Sequence, residues 1–318
     1  MKKKMIGVLL AVVFSAAVLT ACDGKQQSSG RQTYSPTQAA ENGNGSENNG
    51  GGDASPTPEA SPAPADATVV VSDVEELLAA IGPGARIILE PGTYNLSEYL
   101  QEKWDEQGTA WNRNNGNSYV WMEEVFDGVE LHIEGVDGLS LIGRSQNREE
   151  TVILTDPRYA NVISFHESEN LLLSNLTMGH TMTGYCVGDV LNFQRCCDVR
   201  LVNMDLYGCG VYGISADGGG TGASGNFHVY DSTIRDCSGG PLDIANNDLG
   251  DWFFFRCELS GSESGGYFYK LENAKLRFYD CVFGDKETEN FYFREDTETE
   301  NCEWGGIMNL PDYSGYEE

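Results

Sequence analysis

An eight-residue pattern returns along the second half of the chain, and this repeat restricts the fold more than any other feature. Successive copies are separated by about 21–28 residues and begin at Leu171, Val199, Phe227, Trp252, Leu276 and, in a weaker form, Thr297. Within each clear copy apolar residues alternate, shift by one step at a polar residue, and alternate again. This predicts two short strands joined by a tight bend.

A third short strand precedes each of these pairs, at 162–165, 190–193, 213–216, 242–244 and 269–271. Three short strands per repeat, with like residues at like positions, predict a parallel solenoid whose coils stack along one axis. The predicted fold class is therefore all-β, a parallel β-helix.

The polar residue at the bend recurs in every copy, as Asn175, Asn203, Asp231, Arg256, Asp280 and Asn301. Apart from Arg256, these are short side chains that hydrogen-bond the local backbone and tolerate left-handed dihedral angles. The pattern predicts a left-handed residue at each bend.

Cysteines occupy two predicted columns of the solenoid. Cys257, Cys281 and Cys302 share an interior column, where a free thiol behaves as a small apolar group. Cys209 and Cys237 share another column on consecutive coils, and one coil of separation lies within the Cα range of a disulfide. We expect a disulfide between these two residues, and no cysteine spacing is typical of a zinc site.

The folded domain is predicted to open with one short helix. Ser72 to Glu75 form a capping-box pattern, Val74, Leu77, Leu78 and Ile81 follow at helical spacing, and Gly82 ends the helix. No helical periodicity is found beyond this point.

Taken together, the coil repeat, the polar residues at the bends and the opening Pro91-Gly92-Thr93-Tyr94 turn resemble the right-handed β-helices of the pectate-lyase-like superfamily. The resemblance covers nearly all of the domain, from about Val69 to Trp304. It implies a binding cleft along the outer face of the first strand of each coil, with walls formed by the loops on either side.

In that cleft the outward positions of the first strands would form the column Ser164, Asn192, Ser215, Asp243 and Lys270. Asp189, Asp243 and Lys270 are the predicted catalytic residues. The predicted substrate-binding residues are His180, Tyr185, Asn192, Tyr207, Tyr212, Ser215 and Tyr267. The tyrosines could stack on sugar rings, although tyrosines also commonly cover the outside of a solenoid.

Two reactions suit such a cleft. A polysaccharide lyase needs a base and a cation beside the uronate carboxylate, and Lys270 next to Asp243 would supply parts of this; the alternative is a surface salt bridge. A glycosidase needs two carboxylates, which Asp189, Asp217 and Asp243 could supply.

Family signatures argue against a direct transfer of either mechanism. Gly179-His180-Thr181 departs from the Gly-His-Gly of polygalacturonases, and the Trp-Ile-Asp-His sequence of pectate lyases is absent. The alternative for His180 is a loop histidine bonded to backbone.

The first 66 residues predict export. Lys2, Lys3 and Lys4 precede an uncharged apolar run, as in a signal peptide, which we place at residues 1–21. Leu19-Thr20-Ala21-Cys22 resembles the lipobox of bacterial lipoproteins, which implies lipidation of Cys22 and an extracytoplasmic protein anchored to the membrane. Residues 22–66 are rich in Gly, Ser and Pro and read as a disordered tether, leaving residues 67–318 as the β-helix domain.

The net charge of the chain limits which classes of partner can be expected. With 20 basic and 49 acidic residues the formal net charge is −29, and the basic residues form no stripe, so nucleic acid is not expected as a partner. An acidic exterior favours a divalent cation such as Ca²⁺, although no site is evident. The leading hypothesis is a carbohydrate-binding β-helix; a polysaccharide lyase or glycoside hydrolase and a structural or adhesive surface protein are the alternatives.

Overall fold

The structure is a computed structural model, and it describes residues 68–182, 187–208, 211–217, 225–244, 250–261, 268–270, 275–284 and 297–304. For residues 261, 268–270 and 304 only the backbone is described. The predicted signal peptide, the tether, Cys22, Tyr185, Cys209 and Tyr267 lie outside the described residues.

The described chain forms a parallel β-solenoid, which confirms the predicted fold class. One sheet has fifteen strands: β1 (Thr68–Val71), β2 (Arg86–Leu89), β3 (Gly92–Asn95), β6 (Ser140–Gly143), β7 (Thr151–Thr155), β9 (Leu172–His180), β11 (Cys197–Tyr207), β13 (Gly225–Tyr230), β14 (Thr233–Cys237), β16 (Asp251–Phe255), β17 (Glu258–Gly261), β19 (Lys275–Tyr279), β20 (Val282–Phe283), β21 (Glu298–Glu300) and β22 (Glu303–Trp304). The other has seven: β4 (Val120–Val125), β5 (Gly128–Glu134), β8 (Ile163–His166), β10 (Leu191–Gln194), β12 (Tyr212–Asp217), β15 (Gly240–Ile244) and β18 (Phe268–Lys270).

Residues at equivalent positions of successive coils pair in register. Leu173, Leu201, Val229, Phe254 and Phe278 follow one another across five strands of the larger sheet, and none of their side chains is accessible to solvent. Because alternate side chains of a strand face opposite sides, each coil contributes like residues to one continuous core.

Aromatic rings from both sheets pack in this core. Phe165 stacks on Phe193 at 5.3 Å between ring centroids. Phe227 stacks on Trp252 at 3.9 Å, and all four rings are fully buried. Truncating one of these rings to alanine typically costs about 3–5 kcal/mol, because the neighbouring coils cannot collapse into the cavity that is left.

Every predicted bend residue has a left-handed backbone, with φ between 51° and 57° at Asn175, Asn203, Asp231, Arg256, Asp280 and Asn301. Asn203 Nδ2 donates to Asn175 Oδ1 at 2.9 Å, which links two coils. Arg256, the residue that did not fit the pattern, adopts the same backbone, and its guanidinium donates to both carboxylate oxygens of Asp231 at 2.6 and 2.7 Å.

In the part of the chain that the structure describes, three α-helices precede the regular coils: α1 (Val74–Ala80), α2 (Leu96–Gln107) and α3 (Trp111–Asn114). Helix α1 was predicted, but its N-cap is Asp73, whose carboxylate accepts from the backbone N–H of Glu76 at 2.8 Å. The predicted capping box is therefore displaced by one residue, with Glu76 accepting from the backbone N–H of Ser72 at 2.8 Å.

The prediction of no further helix was wrong, since α2 and α3 were missed. Asn95 caps α2 by accepting from the backbone N–H of Ser97, and Leu96 and Leu100 bury one side of the helix. Its apolar residues Leu96, Tyr99, Leu100 and Trp104 do recur at helical spacing, so the signal for this helix was present in the sequence. Among the described residues, no helix has the length and apolar character needed to cross a membrane.

The cysteine column is confirmed in part. Cys257 and Cys281 are buried free thiols, and Cys302 is partly exposed. The side chain of Cys237 is buried, and its Sγ lies 3.4 Å from the carbonyl oxygen of Arg235. Its predicted disulfide partner, Cys209, lies outside the described residues, so the bond between them stays a prediction.

Candidate functional site

A row of polar side chains runs across the outer face of the seven-stranded sheet. The register pairs His132 with Ser164, Ser164 with Asn192, Asn192 with Ser215, and Ser215 with Asp243. We call these five residues the polar ladder. The predicted column is thus confirmed over four of its five members and begins one coil earlier, at His132.

The fifth predicted member, Lys270, is out of register. Asp243 pairs with Tyr269, and Lys270 pairs with Ile244, whose side chain is fully buried. The prediction that Lys270 occupies the outward position beside Asp243 was therefore wrong by one residue. A shift of one residue in a strand moves a side-chain position to the opposite face of the sheet.

Glu130 lies at the start of the polar ladder and is the most enclosed carboxylate of the face, with 6 % of its surface exposed. Its Oε1 accepts from Ser164 Oγ at 2.6 Å and from Asn161 Nδ2 at 2.8 Å, and its Oε2 accepts from the backbone N–H of Asn161 at 2.8 Å. Burial raises the pKa of Glu130, although these donors partly oppose the shift.

Asp189 lies in the loop before β10 and is the second carboxylate of the face. It accepts hydrogen bonds from the backbone N–H of Tyr212 at 2.9 Å and from Ser215 Oγ. Burial raises the pKa of Asp189 to about 6, and the charges of Asp243 and Glu130 add to the increase. This carboxyl group can therefore hold or release a proton near neutral pH.

Asn161 connects the two carboxylates. While its amide and backbone N–H groups donate to Glu130, its Oδ1 accepts from the backbone N–H of Asp189 at 2.6 Å. Hydrogen bonds continue along the next coils, because Asn192 Nδ2 donates to Ser215 Oγ at 2.8 Å and Gln194 Nε2 donates to Asn192 Oδ1 at 3.2 Å. The face is a connected network rather than a set of separate side chains.

Two histidines lie at the end of the network that contains Glu130. His132 Nδ1 and His166 Nε2 are 2.8 Å apart, so one nitrogen donates and the other accepts. The Trp121 ring stacks on His132 with 3.7 Å between centroids. Burial lowers the pKa of both histidines, to about 3 for His132, so both rings are neutral at pH 7.

Of the remaining predicted binding residues that the structure describes, only Tyr212 contacts the network. Tyr212 begins β12 and reaches the network through its backbone, whereas Tyr207 ends β11 on the other sheet, beneath the guanidinium of Arg235 at 4.8 Å. His180 is 2 % exposed, and its Nδ1 and Nε2 lie 3.1 and 2.9 Å from the carbonyl oxygens of Gly208 and Ala160. The backbone-bonded alternative for His180 is confirmed, and its ring is not placed to contact a ligand in the cleft.

Calcium was the only cofactor expected. Within the part of the chain that the structure describes, no group of three or more His, Cys, Asp or Glu side chains is arranged to hold a metal ion. The described residues therefore provide no ligand set for the expected Ca²⁺.

Sequence reasoning missed Glu130, Asn161, His132, His166 and Trp121. A signal was available, since Glu130, His132 and Glu134 alternate with buried apolar residues along β5. The first coil does not carry the eight-residue pattern, however, so its register against the later coils was not visible. Strand β4, which brings Trp121 over His132 and pairs with β5 in antiparallel orientation, was not predicted at all.

The fold and the network define a parallel β-solenoid protein with an acidic, hydrogen-bonded outer face. A search of protein-family models and a search of curated proteins both found no match to the sequence.

Proposed function

We propose that the protein binds polysaccharide along the outer face of the seven-stranded sheet. The observation that carries the proposal is the polar ladder, which repeats hydroxyl, amide and carboxylate groups in register over successive coils. A polymer of sugars presents hydroxyl groups at regular intervals, and a regular row of donors and acceptors can meet several of them at once. The resemblance to the pectate-lyase-like superfamily supports the same face.

The binding test uses the purified full-length protein and a panel of neutral and uronate-containing polysaccharides, with calcium or with a chelator. Asn192→Ala removes an amide from the centre of the ladder, and we expect retention to weaken by about 2–10-fold, as for loss of one hydrogen bond. Val70→Ala, at an exposed position of strand β1 and outside both proposed binding surfaces, is the control. Equal retention of both variants and the wild type on every polysaccharide would exclude this face as the binding site.

A glycoside hydrolase is the second candidate, and the observation that favours it is that Ser215, which is in register with Asp243, donates a hydrogen bond to Asp189. A hydrolase needs one carboxyl group protonated near neutral pH and one ionised, and Asp189 has its pKa raised to about 6 in part by the charge of Asp243. A lyase reaction that uses Lys270 is less favoured, because Lys270 is in register with Ile244 and not with Asp243.

Turnover separates catalysis from binding. Asp189→Asn and Asp243→Asn should each reduce the appearance of reducing ends by at least about 100-fold, as for loss of a general acid or base, while retention is largely kept. Ultraviolet absorbance of unsaturated products would instead identify a lyase. If the wild type is retained on a polysaccharide but forms neither reducing ends nor unsaturated products, the protein binds polysaccharide without catalysis.

We also propose that a lipid on Cys22 holds the protein at the outside of the membrane. The lysines, the apolar run and the lipobox-like residues before Cys22 support this. Labelling with a fatty acid that carries an alkyne tests the anchor. The wild type should be labelled and sediment with membranes, whereas Cys22→Ser should be neither labelled nor sedimented.

A further inference from the structure

Five aromatic or imidazole rings cover the outer face of the fifteen-stranded sheet, away from the polar ladder. They come from three successive strands and belong to His228, Tyr230, Phe253, Phe255 and Tyr279. We call this surface the aromatic platform. All five side chains are partly exposed, while the residues between them, such as Phe254 and Phe278, are fully buried.

Phe253 is the centre of the platform. Its ring centroid lies 5.2 Å from that of Tyr279, 5.8 Å from Tyr230, 5.9 Å from His228 and 6.3 Å from Phe255. The rings are therefore close enough to act as one surface, and the in-register strands hold them in fixed positions.

The core does not require aromatic residues at these positions, because they face away from it. Earlier coils of the same sheet carry Arg200 and Val202 at the matching outward positions, and the sheet continues through them without interruption. A cluster of large apolar rings left at the surface is typical of a binding site rather than of packing.

Two arginines beside the platform are paired with carboxylates, and the exposed Glu300 lies in register with Tyr279. Arg256 lies over the Phe255 ring at 4.3 Å and is paired with Asp231, and Arg277 is paired with Asp251 and Glu298 at 3.0 and 3.1 Å. The local surface thus offers ring faces, two tyrosine hydroxyls and an imidazole. The net charge of −29 further opposes an anionic polymer or a second copy of the chain.

We propose that the aromatic platform binds neutral polysaccharide by stacking the faces of its sugar rings on Phe253 and the neighbouring rings. One face of a sugar ring is lined with C–H groups and its edge carries hydroxyls, which matches apolar ring faces bordered by the Tyr230 and Tyr279 hydroxyl groups. This site is separate from the ladder and does not depend on the ladder binding a ligand.

The test is depletion of the full-length protein by microcrystalline cellulose, together with affinity electrophoresis in soluble mixed-linkage β-glucan and in polygalacturonate. The wild type should bind one or both neutral polymers and not polygalacturonate. Phe253→Ala with Tyr279→Ala should weaken this binding by about tenfold or more, and Phe253→Tyr should retain it. Circular dichroism and thermal unfolding check that each variant is folded, and Tyr279→Ala alone serves if the double variant is not.

Two controls locate the effect. Phe126→Ala and Tyr159→Ala each remove an aromatic residue that is exposed, by 85 % and 43 %, but lies outside the platform and the ladder; both should bind the neutral polymers as the wild type does. Equal binding by the folded platform variants and the wild type would overturn the proposal. So would no binding of the wild type to either neutral polymer, or a dimer in sedimentation that Phe253→Ala dissociates.

Discussion

At the scale of single residues, Asp189 shows how the fold sets protonation. Both of its oxygens accept hydrogen bonds, which favour the charged carboxylate, yet burial and the nearby Asp243 outweigh them and raise its pKa from 3.8 to about 6. The folded protein therefore holds this proton at pH values where the unfolded chain has released it. Asp189 contributes to stability at low pH, and this contribution is lost as the pH rises from about 4 to about 6.

Asp189→Asn should remove the decrease in stability that the ionisation of Asp189 causes as the pH rises. The two pKa values differ by about two units, so the wild type is expected to lose up to about 3 kcal/mol of unfolding free energy from this group between pH 4 and pH 6. Urea unfolding at several pH values would show a smaller decrease for the variant. Asp198→Asn, at an exposed carboxylate, should follow the wild-type profile. Parallel profiles for wild type and Asp189→Asn would contradict the assignment.

The strand period predicted Asn192, Ser215 and Asp243, because apolar residues on both sides of each one fix which face it occupies. It failed at Lys270, where Tyr267, Phe268 and Tyr269 are consecutive aromatic residues and no polar and apolar alternation fixes the register. Asn161 and its bridge between the carboxylates could not be predicted, since a loop side chain carries no period.

At the scale of elements, the bends determine how one strand turns into the next. Six bend residues share a left-handed backbone, and five of them are asparagine or aspartate, so this feature could be predicted from the residue type at a fixed position of the repeat. The β4–β5 hairpin could not, because it occurs once and no repeat supports it, whereas α2 was missed although Leu96, Leu100 and Trp104 recur at helical spacing. Arg256 shows that a long side chain is accepted where an ion pair with the preceding coil compensates for the backbone strain.

Replacing Asn203 separates backbone strain from hydrogen bonding. Its Nδ2 donates to Gln146 O at 2.8 Å and to Asn175 Oδ1 at 2.9 Å, and its φ is 52°. Asn203→Ala should lose these bonds and also strain the backbone, whereas Asn203→Gly should lose the bonds alone. Urea unfolding should therefore find the alanine variant less stable than the glycine variant by about 1 kcal/mol. Equal stabilities would mean that the left-handed backbone imposes no strain here.

At the scale of the whole molecule, charge opposes compaction. Acidic residues outnumber basic ones by 49 to 20, and several arginines are already paired along the coils, as Arg235 is with Asp205. The acidic groups that remain repel one another at low ionic strength.

Added salt should therefore stabilise the protein. Raising sodium chloride from about 0.01 M to about 0.15 M shortens the Debye length from roughly 30 Å to roughly 8 Å, so we expect the melting temperature to increase. Potassium chloride at the same ionic strength is the control for a specific ion effect. A decrease in melting temperature would show that attraction within ion pairs outweighs the net repulsion.

Because successive coils pair in register, one repeat adds a rung to both sheets at the same time. Duplication or deletion of a single coil would then change the length of both faces, and with it the number of sugars that the proposed sites could span, without altering any residue in the other coils. Under the proposed polysaccharide binding, the length of the bound segment would change in discrete steps of one coil, and two related chains that differ by one repeat would be expected to prefer polymers of different minimum length.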